Sequence, residues 1–234
     1  MKSRLLLSAL ILATTITIGF SKGAAIEKET RNLTGFNRVN FGVSGDLYIN
    51  IGSEFKVVLE GEKSLLDEIE TEVSGSKLVI KKDSWYSHGN EKVTVYITMP
   101  ELAGLGVSGS GKAEIKDAVK AEDLDFSVSG SGRIITADLA VGKLDVGISG
   151  SGDVIVGGSG DAANADISIS GSGNYSGEGL KIANADFGIS GSGSCKCNVT
   201  DNLKASVSGS GNITYIGSPK IDARVSGSGR VRSK

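Results

Sequence analysis

The sequence predicts an all-β protein, a single-stranded, right-handed parallel β-helix (a solenoid) over most of its length. Three observations carry that expectation: a Ser-Gly-Ser-Gly tetrapeptide recurs at near-constant spacing, apolar residues alternate on either side of it, and large rings are few. With 34 glycines, two prolines and 5% aromatic residues, the 234-residue chain can bury a core of stacked aliphatic side chains.

Lys2 and Arg4 precede the apolar run Leu5–Phe20, and small residues follow at Gly19, Ser21 and Gly23. That is the layout of a secretory signal peptide, residues 1–21, with cleavage after Ser21 and the bond after Gly23 as the alternative. The run falls short of the ~20 apolar residues that span a bilayer, so the mature chain is expected to carry no transmembrane segment. Loss of Lys2 and Arg4 lowers the basic count from 25 to 23 against 27 acidic residues. A mildly acidic chain without a basic patch is a poor partner for nucleic acid. The expected destination is export, to the periplasm, the outer cell surface or the medium.

Residues 22–35 read as an N-terminal extension and 36–101 as an irregular, β-rich first part of the solenoid. Strands are expected at Arg38–Val43, Asp46–Ile51, Lys56–Glu60, Lys77–Lys81 and Lys92–Thr98, where residues alternate or run β-branched. Ser44-Gly45-Asp46 and Ser74-Gly75-Ser76 are degenerate corners, and Glu62–Glu70 is a short helical excursion.

Residues 102–234 read as the regular β-helix. Ser-Gly-Ser-Gly begins at Ser108, Ser129, Ser149, Ser170, Ser190, Ser208 and Ser226, at spacings of 21, 20, 21, 20, 18 and 18. The residue before each tetrapeptide is Val107, Val128, Ile148, Ile169, Ile189, Val207 or Val225. Two residues earlier stand Leu105, Phe126, Val146, Ile167, Phe187, Ala205 and Ala223, and the parity resumes beyond the corner at Ala113, Ile134, Val154, Tyr175, Cys195, Ile213 and Val231. Strands this short cannot bury an apolar face alone, whereas coils stacked at ~4.8 Å build one continuous core. An antiparallel sandwich also has short alternating strands, but its turns vary in type. Unequal spacing disfavours a left-handed hexapeptide helix. The corner glycines are Gly109 and Gly111, Gly130 and Gly132, Gly150 and Gly152, Gly171 and Gly173, Gly191 and Gly193, Gly209 and Gly211, and Gly227 and Gly229. Both of each pair are expected to face inward, letting the backbone bend across the core, with the serines outward.

The segments Phe36-Asn37-Arg38-Val39-Asn40-Phe41-Gly42-Val43-Ser44-Gly45-Asp46-Leu47, Val58-Leu59-Glu60-Gly61 and Leu65-Leu66-Asp67-Glu68-Ile69, followed by the repeated corners, resemble the head GIN domain family of autotransporter adhesins. The likeness spans essentially the whole mature chain. It implies an exported bacterial β-helix with an adhesive role and brings no active-site motif. No series of alternating ~10-residue strands follows the repeats, so an autotransporter's membrane barrel is not expected within this chain.

Chemistry has few places to sit. The single histidine, His88, lies in the polar stretch Asp83–Asn90, too isolated for a nucleophile and base. Trp85, Tyr86 and His88 together form a candidate surface for stacking on a sugar ring, with packing on the rod as the plainer reading. Cys195 and Cys197 occupy the slot that holds Val154 and Ile213 in other coils and read as buried thiols; a neighbour disulfide or a two-ligand metal site is the alternative. Stacking would set Asp125, Asp145, Asp166 and Asp186 in an outer row, a candidate for Ca²⁺ or a plain solvated stripe.

No cofactor is expected otherwise. The function expected is a non-enzymatic binding module for glycan or protein at the cell envelope. A polysaccharide-active β-helix enzyme is the alternative, weakened by the absence of long cleft-forming loops. A self-assembling structural protein is another, because the ends of a β-helix invite pairing into a homo-oligomer.

Overall fold

A computed structural model describes residues 26–82 and 92–234. The signal-peptide assignment and the Trp85, Tyr86 and His88 cluster lie outside the described residues. The chain forms a β-solenoid of about six turns.

The N-terminal part contains β1 (Ile26–Arg31), β2 (Arg38–Gly42), β3 (Gly45–Ile51), β4 (Lys56–Glu62), the short helix α1 (Lys63–Asp67), β5 (Ile69–Ser74), β6 (Lys77–Lys82) and β7 (Val93–Met99). The repeats supply β8 (Gly104–Gly109), β9 (Lys112–Ile115), β10 (Val119–Gly130), β11 (Arg133–Thr136), β12 (Leu139–Gly150), β13 (Asp153–Val156) and β14 (Gly160–Gly171). They continue through β15 (Asn174–Gly191), β16 (Ser194–Gly209), β17 (Asn212–Ile216), β18 (Lys220–Gly227) and β19 (Arg230–Ser233).

Each repeat stacks on the next in parallel with like residues in register, as in Phe126 beside Leu105 on one side and Val146 on the other. Backbone groups at the corners join the same ladder: Ser131 N–H donates to the Gly109 carbonyl at 2.9 Å and Ser151 N–H to that of Gly130 at 2.8 Å. Inside, Leu124, Phe126, Val128 and Ile134 are at most 1% exposed. Burying a side chain of this size is worth roughly 1.5–3 kcal/mol, and the ladder repeats it coil after coil.

The sequence reading missed a further inward-facing stretch on the remaining side of each coil. Val119 pairs with Leu139, Leu139 with Gly160, and Gly160 with Leu180, while Val141 sits between Ala121 and Ala162. Val119 follows Gly111 by eight residues but Leu139 follows Gly132 by seven. An odd difference inverts strand parity, so the column is invisible to a fixed offset from the corner. The burial alternation breaks at Glu122 and Asp123, where β10 turns a further corner.

Both glycines of a corner were expected inward, and the structure separates them. Gly109, Gly130, Gly150, Gly171, Gly191, Gly209 and Gly227 have φ between 88° and 126° and stand at or near the surface. The second glycines, Gly111 to Gly211 in the series, are buried; a Cβ on Gly132 would lie 2.6 Å from Val107 Cγ1 and 2.8 Å from the Gly111 carbonyl oxygen. One glycine is set by backbone conformation, the other by lack of space.

In the N-terminal part the helical excursion and five strands fall where expected, but chain order is not stacking order. β2 lies between β6 and β8, and β3 between β7 and β9, all parallel. The first coil in sequence is therefore the second in space. Beyond it, β5 covers β6 and β4 covers β7, both antiparallel, and β1 pairs antiparallel with β4. Residues 26–31 are thus an edge strand within the stretch read as an extension.

Candidate binding surface

Two outward rows flank the buried column Val128, Ile148, Ile169 and Ile189. One is Ser129, Ser149, Ser170, Ser190 and Ser208; the other is Ser127, Gly147, Ser168, Gly188 and Ser206. Both are small because large outward side chains are absent at these positions, so the sheet surface sinks into a lateral groove of about 610 Å³. Parallel in-register pairing repeats its hydroxyls at ~4.8 Å along the rod.

A second depression of about 400 Å³ adjoins it, lined by Ala165 and Ala185 and by Lys143, Asn164, Asp166, Asn184, Asp186 and Lys204 among others. Its asparagines form a chain: Asn202 Nδ2 donates to Asn184 Oδ1 at 2.7 Å, and Asn184 Nδ2 to Asn164 Oδ1 at 3.4 Å.

Asp125, Asp145, Asp166 and Asp186 do stand side by side across successive coils. Three of them face cations of the chain: Asp125 pairs with Arg38, Asp145 with Lys143 at 2.8 Å and Asp186 with Lys204 at 2.5 Å. The carboxylates in turn hold the Lys143 and Lys204 ammonium groups above the usual lysine range, chiefly by hydrogen bonding. Among the described residues no three His, Cys, Asp or Glu side chains converge as a set of metal ligands.

Cys195 and Cys197 are free and buried, stacked on Tyr175 and Gly177 of the coil before. Burial pushes the Cys195 thiol and the Tyr175 hydroxyl well above their ordinary values, and Tyr175 Oη has no hydrogen-bond partner. Such groups are poor nucleophiles and poor acids at neutral pH.

An aromatic pair escaped the sequence reading. Tyr48 and Tyr96 stack across β3 and β7 with centroids 5.6 Å apart, and the Lys116 and Lys28 ammonium groups lie over them at 4.8 and 5.8 Å. The two residues lie 48 positions apart in the chain, and only the parallel pairing of β3 with β7 brings them together. Their faces are already engaged within the chain. No helix among the described residues is long and apolar enough to cross a membrane.

No curated protein sequence is significantly similar to the chain. Among solved structures, a putative adhesin from Bacteroides fragilis is 25% identical with a TM-score of 0.84, the match covering 91% of this chain and 98% of that one. A putative adhesin from Parabacteroides distasonis is 24% identical with a TM-score of 0.74, covering 90% and 98%. A putative lipid binding protein from the same species is 22% identical with a TM-score of 0.73, covering 89% and 96%, and shares the fold. The family profile described as "putative auto-transporter adhesin, head GIN domain" matches residues 35–219, and the chain belongs to that family.

Proposed function

We propose that this protein is a non-enzymatic, exported binding module of the cell envelope, an adhesin whose lateral groove receives a linear glycan. The supporting observation is the groove itself, two in-register rows of serines and glycines running across successive coils. An extended polymer of hydroxyl-bearing units suits a surface that repeats its own donors and acceptors along one axis. Shallow grooves of this kind bind by many small contacts, so affinity grows with ligand length. Trp85, Tyr86 and His88 are a second candidate contact, through stacking on a sugar ring.

The experiment is binding of the chain from residue 22 to host and bacterial glycan arrays, with and without Ca²⁺, with products monitored for cleavage. A Gly147→Gln, Gly188→Gln variant fills the groove where a Cβ on Gly147 meets nothing within 4 Å and one on Gly188 only Ser168 Oγ at 3.9 Å. Saturable binding of longer glycans, weakened about tenfold or more by that variant with the melting temperature retained, is the expected result. Binding lost instead in Trp85→Ala places the site at the aromatic cluster, cleavage makes the protein an enzyme, and silence on every glycan refutes the glycan reading.

A further inference from the structure

The two ends of the rod are closed differently. At the N-terminal end antiparallel β5 and β4 cover the outermost parallel coil. At the other end, among the described residues, nothing pairs with the outer edge of β18 or covers its inner face: Ile221 and Val225 are 46% and 45% exposed, while Leu203 and Val207 beneath them are 1% exposed. A free strand edge over an open core invites another strand.

We propose that this edge pairs with the β18 edge of a second copy, antiparallel and about a two-fold axis midway between the two Ala223 residues. The sequence of β18, Lys220-Ile221-Asp222-Ala223-Arg224-Val225-Ser226-Gly227, is self-complementary in that register. Ile221 falls opposite Val225 on the core side. On the outer side Asp222 falls opposite Arg224 twice, and Lys220 opposite Ser226. A slip of two residues one way sets Arg224 against Arg224; the other way it sets Asp222 against Asp222. An odd slip turns core side chains to solvent. Charge and parity therefore select one register, and opposite charges directly across an antiparallel pair favour it.

The same closure occurs within the chain, where antiparallel β5 ends the parallel ladder at β6. A two-fold pairing closes on itself and gives a dimer, not a filament. In this register β19 does not fall opposite its copy, so the eight residues of β18 hold the contact. An edge of that size lies below a standard interface, and a dissociation constant of about micromolar or weaker is expected.

Sedimentation velocity on the chain from residue 22 over a concentration series tests this. The expected result is reversible dimerisation, weakened about tenfold or more in Asp222→Arg and in Arg224→Asp, and restored in the double swap Asp222→Arg, Arg224→Asp. Asp222 and Arg224 side chains are 63% and 82% exposed, so the variants should fold, which their melting curves check. A monomer at every concentration, association unchanged by the single reversals, no rescue by the double swap, or growth beyond the dimer would overturn the proposal.

Discussion

Three glycines of one region should respond in opposite ways to the same added methyl group. At Gly132 a Cβ would sit 2.6 Å from Val107 Cγ1 and 2.8 Å from the Gly111 carbonyl oxygen. The side chain can give by rotating, but the carbonyl belongs to the neighbouring coil and moves only if the coil spacing opens. Overpacking of this kind costs about 1–3 kcal/mol. For a chain of this length about 2 kcal/mol lowers the melting temperature by about 4–8 °C. At Gly130 the obstacle is conformational as well, φ of 107° with a Cβ 2.7 Å from the Gly109 carbonyl oxygen, and a comparable loss of about 1–3 kcal/mol is expected. At Gly147 a Cβ meets nothing within 4 Å, so Gly147→Ala should be neutral or raise stability by about 0.4–1 kcal/mol through the unfolded chain. Thermal melts of the three alanine variants, followed by far-ultraviolet circular dichroism, make the comparison. Equal melting temperatures for Gly132→Ala and Gly147→Ala would refute the packing account of the corner.

Glu114 accepts hydrogen bonds from Lys116 and Lys112, which hold its carboxyl below the usual range; its contribution to stability is present above the unfolded pKa and is lost as pH falls through the folded one. Lys116→Met should raise the Glu114 pKa in an NMR titration, and no movement would count against the pairing. Cys195 and Cys197 should resist an aromatic disulfide reagent in the native state and both react after unfolding without reductant; rapid native labelling would show that the core opens, and silence after unfolding would show a bridge. Cys195→Val, matching Val154 in the coil two before, should change stability by less than about 1.5 kcal/mol in a denaturant titration, and a larger loss would assign the thiol more than packing.

The Asp125 to Asp186 row was legible because it sits at a fixed offset from the corner, but its chemistry was not. Arg38 reaches Asp125 from a residue 87 positions away, and no periodicity announces that. The groove was not read from the sequence; its depth depends on two neighbouring rows being small at the same height, which only the register of the coils shows.

By itself the sequence determined the repeating part of this protein. Adjacent repeats are adjacent coils, so the ladder from Leu105 and Phe126 to Ala205 and Ala223 is written at one offset from the corner and needs no long-range information. Only the tertiary structure decided the N-terminal end, where β2 and β3 lie between coils that come later in the chain. The cap of β1, β4 and β5 was decided there too. The physical reason is that an alternating strand specifies which face is buried, not which neighbour completes its hydrogen bonds. Where no repeated corner fixes the neighbour, the choice falls to the packing of the whole end of the rod.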